Sequence, residues 1–506
     1  MRTKKALVNS VINVISYILI LVPNFIVRKF FLTYLGERWL GVNSLFNNII
    51  GFLSIMELGI GSAIIFSLYK PFAENDKERI KGYLDYYRKF YLIIGNIILI
   101  IGICLTPILN IFIKNEVNIK LAIIGYILFL LNTYITYLFS YKSCLLSVAQ
   151  EEYKLSISSA LSKVIICTIQ IVLLRLIPSF IIYLLIQLLI NLFYYILLNR
   201  YIDSRYEWIK DTKGLITYTE KRKLTKNIRA LFLHKIGMFV VNSTDNLLIS
   251  YFIDLATVSK FNSYNMVIGA CKTIIGKGIS GVTASIGNLL VSEDTDNAYN
   301  VHKRIFFISF WIVSFICILL YNVLNQLIVL WLGENQLIDK FTFSILIFNL
   351  YFSAMRSSVE KFQEGGGNFV QDRYAPICES IINLISSIIL VKCIGLPGIF
   401  LGTLISNISV VFWTKPLVVY KYVFNKKLRE YYKMYFKYLV CGIIPLGVTI
   451  LLSNKINNIS FTSLIVNCLL NTVVINSLYL IIFCRNKELI YYKKLIITII
   501  KKCKEK

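Results

Sequence analysis

Residues 179–199, SFIIYLLIQLLINLFYYILLN, form an apolar run without a single charged side chain. A helix rises about 1.5 Å per residue, so a run of this length crosses the roughly 30 Å hydrocarbon core of a bilayer. Similar runs recur along the 506-residue chain, of which 57% is hydrophobic and only 16% charged. These runs are too long and too uniformly apolar for barrel strands. The sequence therefore predicts an all-α, polytopic membrane protein.

The apolar runs predict about fourteen transmembrane helices joined by short connections. Their approximate ranges are 9–32, 40–69, 90–113, 119–141, 155–175, 179–199, 232–252, 261–290, 305–332, 341–362, 376–394, 398–420, 434–453 and 459–484. We expect four parts: an N-terminal lobe of helices 1–6 (1–200), a basic cytoplasmic linker (201–231), a C-terminal lobe of helices 7–12 (232–423), and helices 13 and 14 with a basic cytoplasmic tail (424–506).

The positions of Lys and Arg predict the orientation of the chain. Basic residues are concentrated in alternate connections, as in the nine between Arg200 and Arg229 and the eight from Arg485 to Lys506. The positive-inside rule assigns these connections, and both termini, to the cytoplasm. The net charge of +27 is thereby explained as a topology signal and a contact with membrane lipids, and no nucleic-acid partner is expected. The tail could also lie in the interface as an amphipathic helix.

A weak internal repeat divides the chain into two six-helix lobes. Gln150-Glu151-Glu152-Tyr153 and Gln371-Asp372-Arg373-Tyr374 occupy equivalent connections. Asn43-Ser44 and Asn262-Ser263 open equivalent spans, again about 220 residues apart. Six crossings per lobe give the lobes the same orientation, which is a transporter architecture with the substrate path between the halves. Spans 13 and 14 have no partner in the repeat.

Motifs of enzymes and metal sites are missing from the sequence. The 11 cysteines are scattered without ligand spacing, and no GxxxxGK[ST] phosphate loop, GxSxG or HExxH motif occurs. We therefore expect a transporter rather than an enzyme, with no cofactor and no metal.

Polar residues inside the apolar runs are the candidate functional residues. A charge at the bilayer centre costs roughly 2.5–3.5 kcal/mol, so such groups usually face a cavity or a partner. We expect a hydrated cavity lined by spans 1, 2, 7 and 8, whose cationic side chains suit an anionic substrate. The cationic candidates are Arg28, Lys235, Lys272 and Arg356, and the polar candidates are Asn24, Asn43, Asn47, Ser54 and Asn242.

Structural roles stay open as alternatives to the cavity for several of these residues. Arg28 could snorkel to an interface, and Arg356 could be neutralised by Glu360 at i+4. Glu57 and Asp245 are candidates for coupling transport to a proton or sodium ion, with His234 assisting, but they could equally be structural partners of the cations.

Three segments resemble the Wzx-type polysaccharide repeat-unit flippases of the multidrug/oligosaccharidyl-lipid/polysaccharide exporter (MOP) superfamily. They are Ile55-Met56-Glu57-Leu58-Gly59-Ile60-Gly61-Ser62-Ala63, Asn242-Ser243-Thr244-Asp245-Asn246-Leu247-Leu248-Ile249, and Asp372-Arg373 through Glu379 to Gly395-Leu396-Pro397-Gly398. The resemblance implies two six-helix lobes around a central cavity. It also implies export of undecaprenyl-pyrophosphate-linked oligosaccharide across the bacterial cytoplasmic membrane by alternating access, for O-antigen or capsule synthesis, alongside polysaccharide polymerase machinery.

Two other functions compete with this interpretation. A peptidoglycan-precursor flippase, or another exporter of the same superfamily, would share the cationic cavity and the extra helices. A membrane polysaccharide polymerase or glycosyltransferase is disfavoured because the outside connections are only a handful of residues long.

Overall fold

The computed structural model describes residues 2–54, 60–222, 224–225, 244–280, 286, 289–290, 294–366, 368, 371–456 and 458–504. These residues are predominantly helical and include no strand. The helices are α1 (Arg2–Leu53), α2 (Ile60–Ala73), α3 (Lys77–Cys104), α4 (Leu109–Ile113), α5 (Ile119–Phe139), α6 (Cys144–Val148), α7 (Glu152–Leu176), α8 (Phe180–Arg205), α9 (Trp208–Asp211), α10 (Asp245–Phe252), α11 (Leu255–Ser280), α12 (Thr295–Leu332), α13 (Lys340–Gly366), α14 (Ala375–Ile394), α15 (Leu396–Ser406), α16 (Phe412–Val418), α17 (Leu428–Ser453), α18 (Phe461–Ile482) and α19 (Lys487–Lys504).

The helices confirm the predicted all-α, multi-pass class. Within the described residues, ten helices are long and apolar enough to cross a membrane. The predicted boundary between spans 1 and 2 falls inside α1, where Gly36 breaks the helix with φ 82° and ψ 172°. Glycine takes this left-handed φ without the penalty that a Cβ would cause. Parts of predicted spans 2, 7 and 8 lie outside the described residues.

The chain divides into two compact units, Met1–Ser259 and Lys260–Lys506. In the first unit, Phe46 is fully buried and contacts Tyr126 at 5.2 Å and Phe129 at 5.9 Å between ring centroids. In the second unit, His302 is fully buried between Phe362 and Phe424, both at 5.1 Å. The largest fully buried side chains in both units are aromatic. The four-part division expected from the sequence stays a prediction.

Polar caps mark the ends of several spans. Asp76 accepts a hydrogen bond from the Arg79 amide before α3, and Ser460 forms a reciprocal capping box before α18. Free N–H groups at a helix start need such acceptors. These two caps thus define where α3 and α18 begin.

Candidate functional site

The asparagine predicted on span 1 lies against α7. Asn24 donates to the Ile20 carbonyl at 2.9 Å, and its Oδ1 lies 3.9 Å from the Cys167 sulfur on α7. About three turns earlier in α1, Asn13 Oδ1 accepts a hydrogen bond from Ser156 of α7 at 2.5 Å. These contacts give the amides of α1 a packing role in the first unit, because a paired amide holds two helices together.

Arg28 is half-buried on the same helix and contacts the backbone of α11. Its Nη2 donates to the Ser259 carbonyl oxygen at 2.8 Å. A carbonyl carries no formal charge, so this bond positions the guanidinium without neutralising it. A guanidinium offers five N–H donors in a planar fork, which suits a phosphate group.

The polar residues predicted on span 2 have local contacts. Asn47 is exposed and donates to the Asn43 carbonyl at 2.9 Å, one turn earlier in α1. Asn43 and Ser54 are half-buried. Their assignment to a cavity stays a prediction.

A cluster of charged residues in the first unit contacts the turn between α10 and α11. The Glu116 carboxylate accepts the Leu255 amide hydrogen, with distances of 3.2 and 3.3 Å to its two oxygens. Lys114 donates to the Ile253 carbonyl at 3.4 Å. Gly41 of α1 packs so closely on the turn that a Cβ there would lie 2.0 Å from the Leu255 carbonyl oxygen. We call Gly41, Lys114, Glu116, Ile253 and Leu255 the α10–α11 turn contact.

The electrostatics of this contact centre on Glu116. Burial raises the pKa of the Glu116 carboxyl above its ordinary value, and Asp254 adds to the rise. The Leu255 amide, Arg38 and Lys114 oppose it. Desolvation of the charged carboxylate is therefore the dominant effect at this position.

The second unit contains a cluster of charged groups around Arg356. Arg356 Nε lies 2.7 Å from Glu360 Oε1, and its Nη1 donates to Asn407 Oδ1 at 3.1 Å. Glu379 on α14 also interacts electrostatically with Arg356. The i,i+4 pairing expected from the sequence is present, so Arg356 carries a partner within its own helix.

A second ion pair in this unit joins the turn before α14 to α16. Asp372 Oδ2 lies 2.7 Å from Lys415 Nζ, and the two side chains are only 5% and 15% exposed. Gln363 donates to the other carboxylate oxygen of Asp372 at 2.8 Å. The carboxylate is thus held from two sides.

Of the six remaining candidate residues, the structure describes two. Lys272 is exposed on α11, and Asp245 is half-buried at the first position of α10. Glu57, His234, Lys235 and Asn242 lie outside the described residues. In the part of the chain that is described, no group of three or more His, Cys, Asp or Glu side chains could hold a metal ion.

Solved structures share this arrangement of helices, although no family model and no curated protein matches the chain. A structure entitled "Lipid II flippase MurJ, inward closed conformation" matches with a TM-score of 0.71 and 14% identity, over 94% of this chain and 99% of that one. An inward-facing multidrug resistance MATE family transporter of the MOP superfamily matches with a TM-score of 0.58 and 16% identity, over 81% and 98%. A mutant of the Vibrio cholerae MATE transporter VcmN matches with a TM-score of 0.54 and 13% identity, over 84% of this chain and 99% of that one.

This chain has the fold of the MOP-superfamily transporters. The fold accounts for a helical chain with many spans and short connections, as predicted. A shared fold carries many functions, so the residues must support the chemistry themselves.

Several charged residues with defined contacts are not indicated by the sequence patterns. Glu116 lies in a short connection, which hid its contact with Leu255. Lys163 is half-buried in α7, and Lys415 pairs with Asp372 from inside an apolar run. A search for every Lys, Asp and Glu inside the spans would have found Lys163 and Lys415. No sequence signal identifies Glu116.

Proposed function

We propose that this protein is a flippase for a lipid-linked oligosaccharide. One observation carries the proposal: the likeness to the flippase structure extends over 94% of this chain, against 81% and 84% for the two MATE transporters. The TM-score falls in the same order, from 0.71 to 0.58 and 0.54. A likeness to the flippase over nearly the whole chain favours translocation of a lipid over export of a small cation.

The proposed substrate is an undecaprenyl-pyrophosphate-linked oligosaccharide for O-antigen or capsule-type synthesis. The segments around Glu57, Asp245 and Asp372 that resemble Wzx-type flippases support this class. Arg28 is the proposed contact of the diphosphate, because guanidinium groups bind phosphate oxygens in bidentate fashion. Lys235, Lys272 and Arg356 stay predicted cationic residues of the substrate path.

The proposed mechanism is alternating access in the bacterial cytoplasmic membrane, with both termini in the cytoplasm. The glycan and diphosphate would enter the protein while the isoprenoid tail stays in the bilayer. We propose Glu57 and Asp245 as residues that couple transport to a proton or sodium ion, with His234 assisting. Transport that is unchanged across pH in E57Q and D245N would end this part of the proposal.

A peptidoglycan-precursor flippase is an equally supported second candidate. The flippase structure with 94% coverage is itself named for lipid II. Both substrates are diphosphate-linked isoprenoid lipids, and they differ in the sugar that the protein must accommodate.

Deletion of the gene in its native host tests the proposal. A membrane-impermeant glycan probe would then report which lipid-linked saccharide accumulates and on which leaflet. We expect a complete repeat unit on the cytoplasmic leaflet, restored to the outside by the wild-type gene. Accumulation of a peptidoglycan precursor would select the second candidate. Normal outward exposure without polymer would indicate a polymerase instead.

A further inference from the structure

A groove between α7 and α8 in the first unit opens to the side of the helix pair. Its volume is about 510 Å³, and apolar side chains supply most of its lining. Leu161 and Phe193 in this lining are 55% and 61% exposed, although both belong to membrane-spanning helices. An exposed apolar side chain on a spanning helix faces lipid, so the groove opens towards the bilayer.

The length of the groove matches one leaflet. Its lining runs from Lys154 to Ile165 on α7 and, antiparallel, from Tyr201 back to Ile190 on α8. Each stretch covers about 17 Å at 1.5 Å per residue, close to half of the roughly 30 Å hydrocarbon core.

One end of the groove carries a polar cluster, which we call the headgroup cluster: Glu151, Lys154, Arg200, Tyr201 and Arg205. Lys154 and Arg205 both pair with Glu151, at 2.9 and 2.6 Å. Arg200 is exposed on α8, two turns from Phe193 and on the same helix face. Three cations and one carboxylate leave the cluster with a net positive charge, at the end that the positive-inside rule assigns to the cytoplasm.

Hydrogen-bond geometry leaves a donor in this cluster. Tyr201 Oη accepts from Lys154 Nζ at 2.8 Å and from Arg205 Nη1 at 3.3 Å. Because the oxygen accepts both bonds, its own hydroxyl hydrogen is available for an acceptor such as a phosphate oxygen.

Polarity falls steadily along the groove. One turn below Lys154, the Ser158 and Tyr194 hydroxyls lie 3.3 Å apart. Two turns below, Ser162 is only 8% exposed, and its hydroxyl has no hydrogen-bond partner among the described residues. A buried hydroxyl without an acceptor is rare in folded proteins, and a ligand carbonyl would satisfy it. Beyond it the lining is aliphatic and aromatic.

We propose that this groove holds one anionic glycerophospholipid from the cytoplasmic leaflet. Its phosphate contacts Lys154, Arg200 and Tyr201, its ester carbonyls lie level with Ser158 and Ser162, and an acyl chain follows the apolar lining. Along the groove, cationic, hydroxyl and apolar groups follow one another in the order in which a phospholipid presents its phosphate, ester carbonyls and acyl chain. The bound lipid fills the seam between α7 and α8.

Native mass spectrometry of the purified full chain tests the site. The protein would be equilibrated in nanodiscs with equal amounts of phosphatidylglycerol and phosphatidylcholine that carry the same acyl chains. We expect one phosphatidylglycerol retained per chain in preference to phosphatidylcholine. In K154Q/R200Q we expect this preference to fall roughly 25-fold, because each of the two basic side chains near an anionic lipid surface contributes a factor of about five.

Two matched controls separate the groove from general effects. K70Q/K77Q removes the same charge from exposed positions at the same predicted end of the first unit, and it should keep the preference. L161W fills the groove without changing charge and should abolish retention, whereas I93W, at a position of nearly equal exposure on α3, should not. Glu151 keeps Arg205 as its partner in K154Q/R200Q, so the fold should persist.

Three outcomes would overturn the proposal. They are equal retention of the two lipids by the wild type, the same loss in K70Q/K77Q as in K154Q/R200Q, and displacement of phosphatidylglycerol by undecaprenyl phosphate, which would assign the groove to a substrate tail. Lipid retention is measured without transport, so the result is independent of the proposed flippase activity.

Discussion

Arg28 lies in a transmembrane helix with its guanidinium 2.8 Å from the Ser259 carbonyl oxygen. An arginine in this position is costly for the folded protein unless it serves a partner or a substrate. The Ser259 carbonyl positions the Arg28 side chain, and we propose this guanidinium as the contact of the diphosphate. Lys29, the next residue, is exposed and provides a control of the same charge.

We expect R28A to lower the flipping rate at least tenfold at unchanged protein level. The loss of charge-assisted hydrogen bonds costs about 1.5–3 kcal/mol, which corresponds to this factor or more. K29A should flip at the wild-type rate. The measurement is the rate at which the lipid-linked saccharide becomes accessible to an impermeant probe. Equal rates in R28A and K29A would contradict the assignment of Arg28.

Glu116 predicts a pH dependence of stability. Burial raises its pKa, so the folded protein holds this proton more tightly than the unfolded chain. The contribution of Glu116 to stability is therefore full below the ordinary carboxyl pKa and is lost as pH rises through the raised value. In E116Q the amide oxygen can still accept the Leu255 amide hydrogen, but the titration is gone.

Thermal unfolding of the purified protein between pH 4 and pH 8 measures this effect. We expect the unfolding temperature of the wild type to fall relative to that of E116Q as pH rises. E116A, which lacks any acceptor for the Leu255 amide, should be less stable than E116Q at every pH. A difference between wild type and E116Q that stays constant with pH would refute the role of Glu116.

At the scale of helices, the acidic residues of the internal repeat have the same structural task in both units. Glu151 precedes α7 and pairs with Arg205 at the end of α8, at 2.6 Å. Asp372 precedes α14 and pairs with Lys415 of α16, at 2.7 Å. In each unit the ion pair joins the start of one span to a later helix, which gives the weak sequence repeat a physical meaning.

The Asp372–Lys415 pair should be strongly coupled. K415M leaves a buried carboxylate without its cation, and we expect a loss of about 3–5 kcal/mol in the free energy of unfolding. K415M/D372N should recover most of that loss, because both charges are gone. The measurement is a double-mutant cycle by denaturant unfolding in detergent.

The Lys361–Glu364 pair is the matched control for this cycle. The distance between its charged atoms is 2.6 Å, but the glutamate is 42% exposed, so K361M should cost no more than about 1 kcal/mol. Equal losses in K361M and K415M would mean that burial does not govern the strength of these pairs.

Gly41 determines how closely α1 approaches the α10–α11 turn. In G41A the new Cβ would lie 2.0 Å from the Leu255 carbonyl oxygen, so the turn must move. We expect a loss of about 1–3 kcal/mol, the usual cost of overpacking. G269A on α11 meets nothing within 4 Å and should be neutral or stabilising. An equal effect of both variants on the unfolding temperature would contradict this contact.

At the scale of the whole molecule, the orientation in the membrane remains a prediction of the positive-inside rule. Lys340 and Arg429 are exposed basic residues near the starts of α13 and α17, on opposite predicted sides. In a cysteine-free background, we expect K340C to react with an impermeant maleimide in intact cells and R429C to react only after permeabilisation. The reverse pattern would invert the topology.

Most of the fold was predictable from the sequence because a bilayer imposes a simple rule. Every span must be a long apolar helix, so hydropathy located the apolar part of the described helices, although α3 and α12 begin 13 and 10 residues before the predicted starts. The break at Gly36 shows the limit of that rule: the 52-residue helix α1 contains predicted span 1 and the start of predicted span 2, and Gly36, with a φ of 82°, lies between them.

The candidate site was less predictable, since hydropathy identifies a polar residue but not its partner. Asn24 was predicted to line a cavity, and the structure gives it a contact on α7. Arg356 was predicted as cationic, and it lies 2.7 Å from Glu360, as the i,i+4 spacing indicated. Glu116 was missed because its contact joins residues that are 139 positions apart.

The sequence by itself determined that this protein is an all-α membrane protein with many spans. Backbone N–H and C=O groups in lipid must be hydrogen-bonded within the protein, and long, uniformly apolar runs achieve this only as helices. Only the tertiary structure decided which polar groups pair and which contact a neighbouring helix. The groove between α7 and α8 likewise became visible only there. Such contacts depend on the packing of helices that are distant in sequence, and a one-dimensional pattern of polarity does not contain those distances.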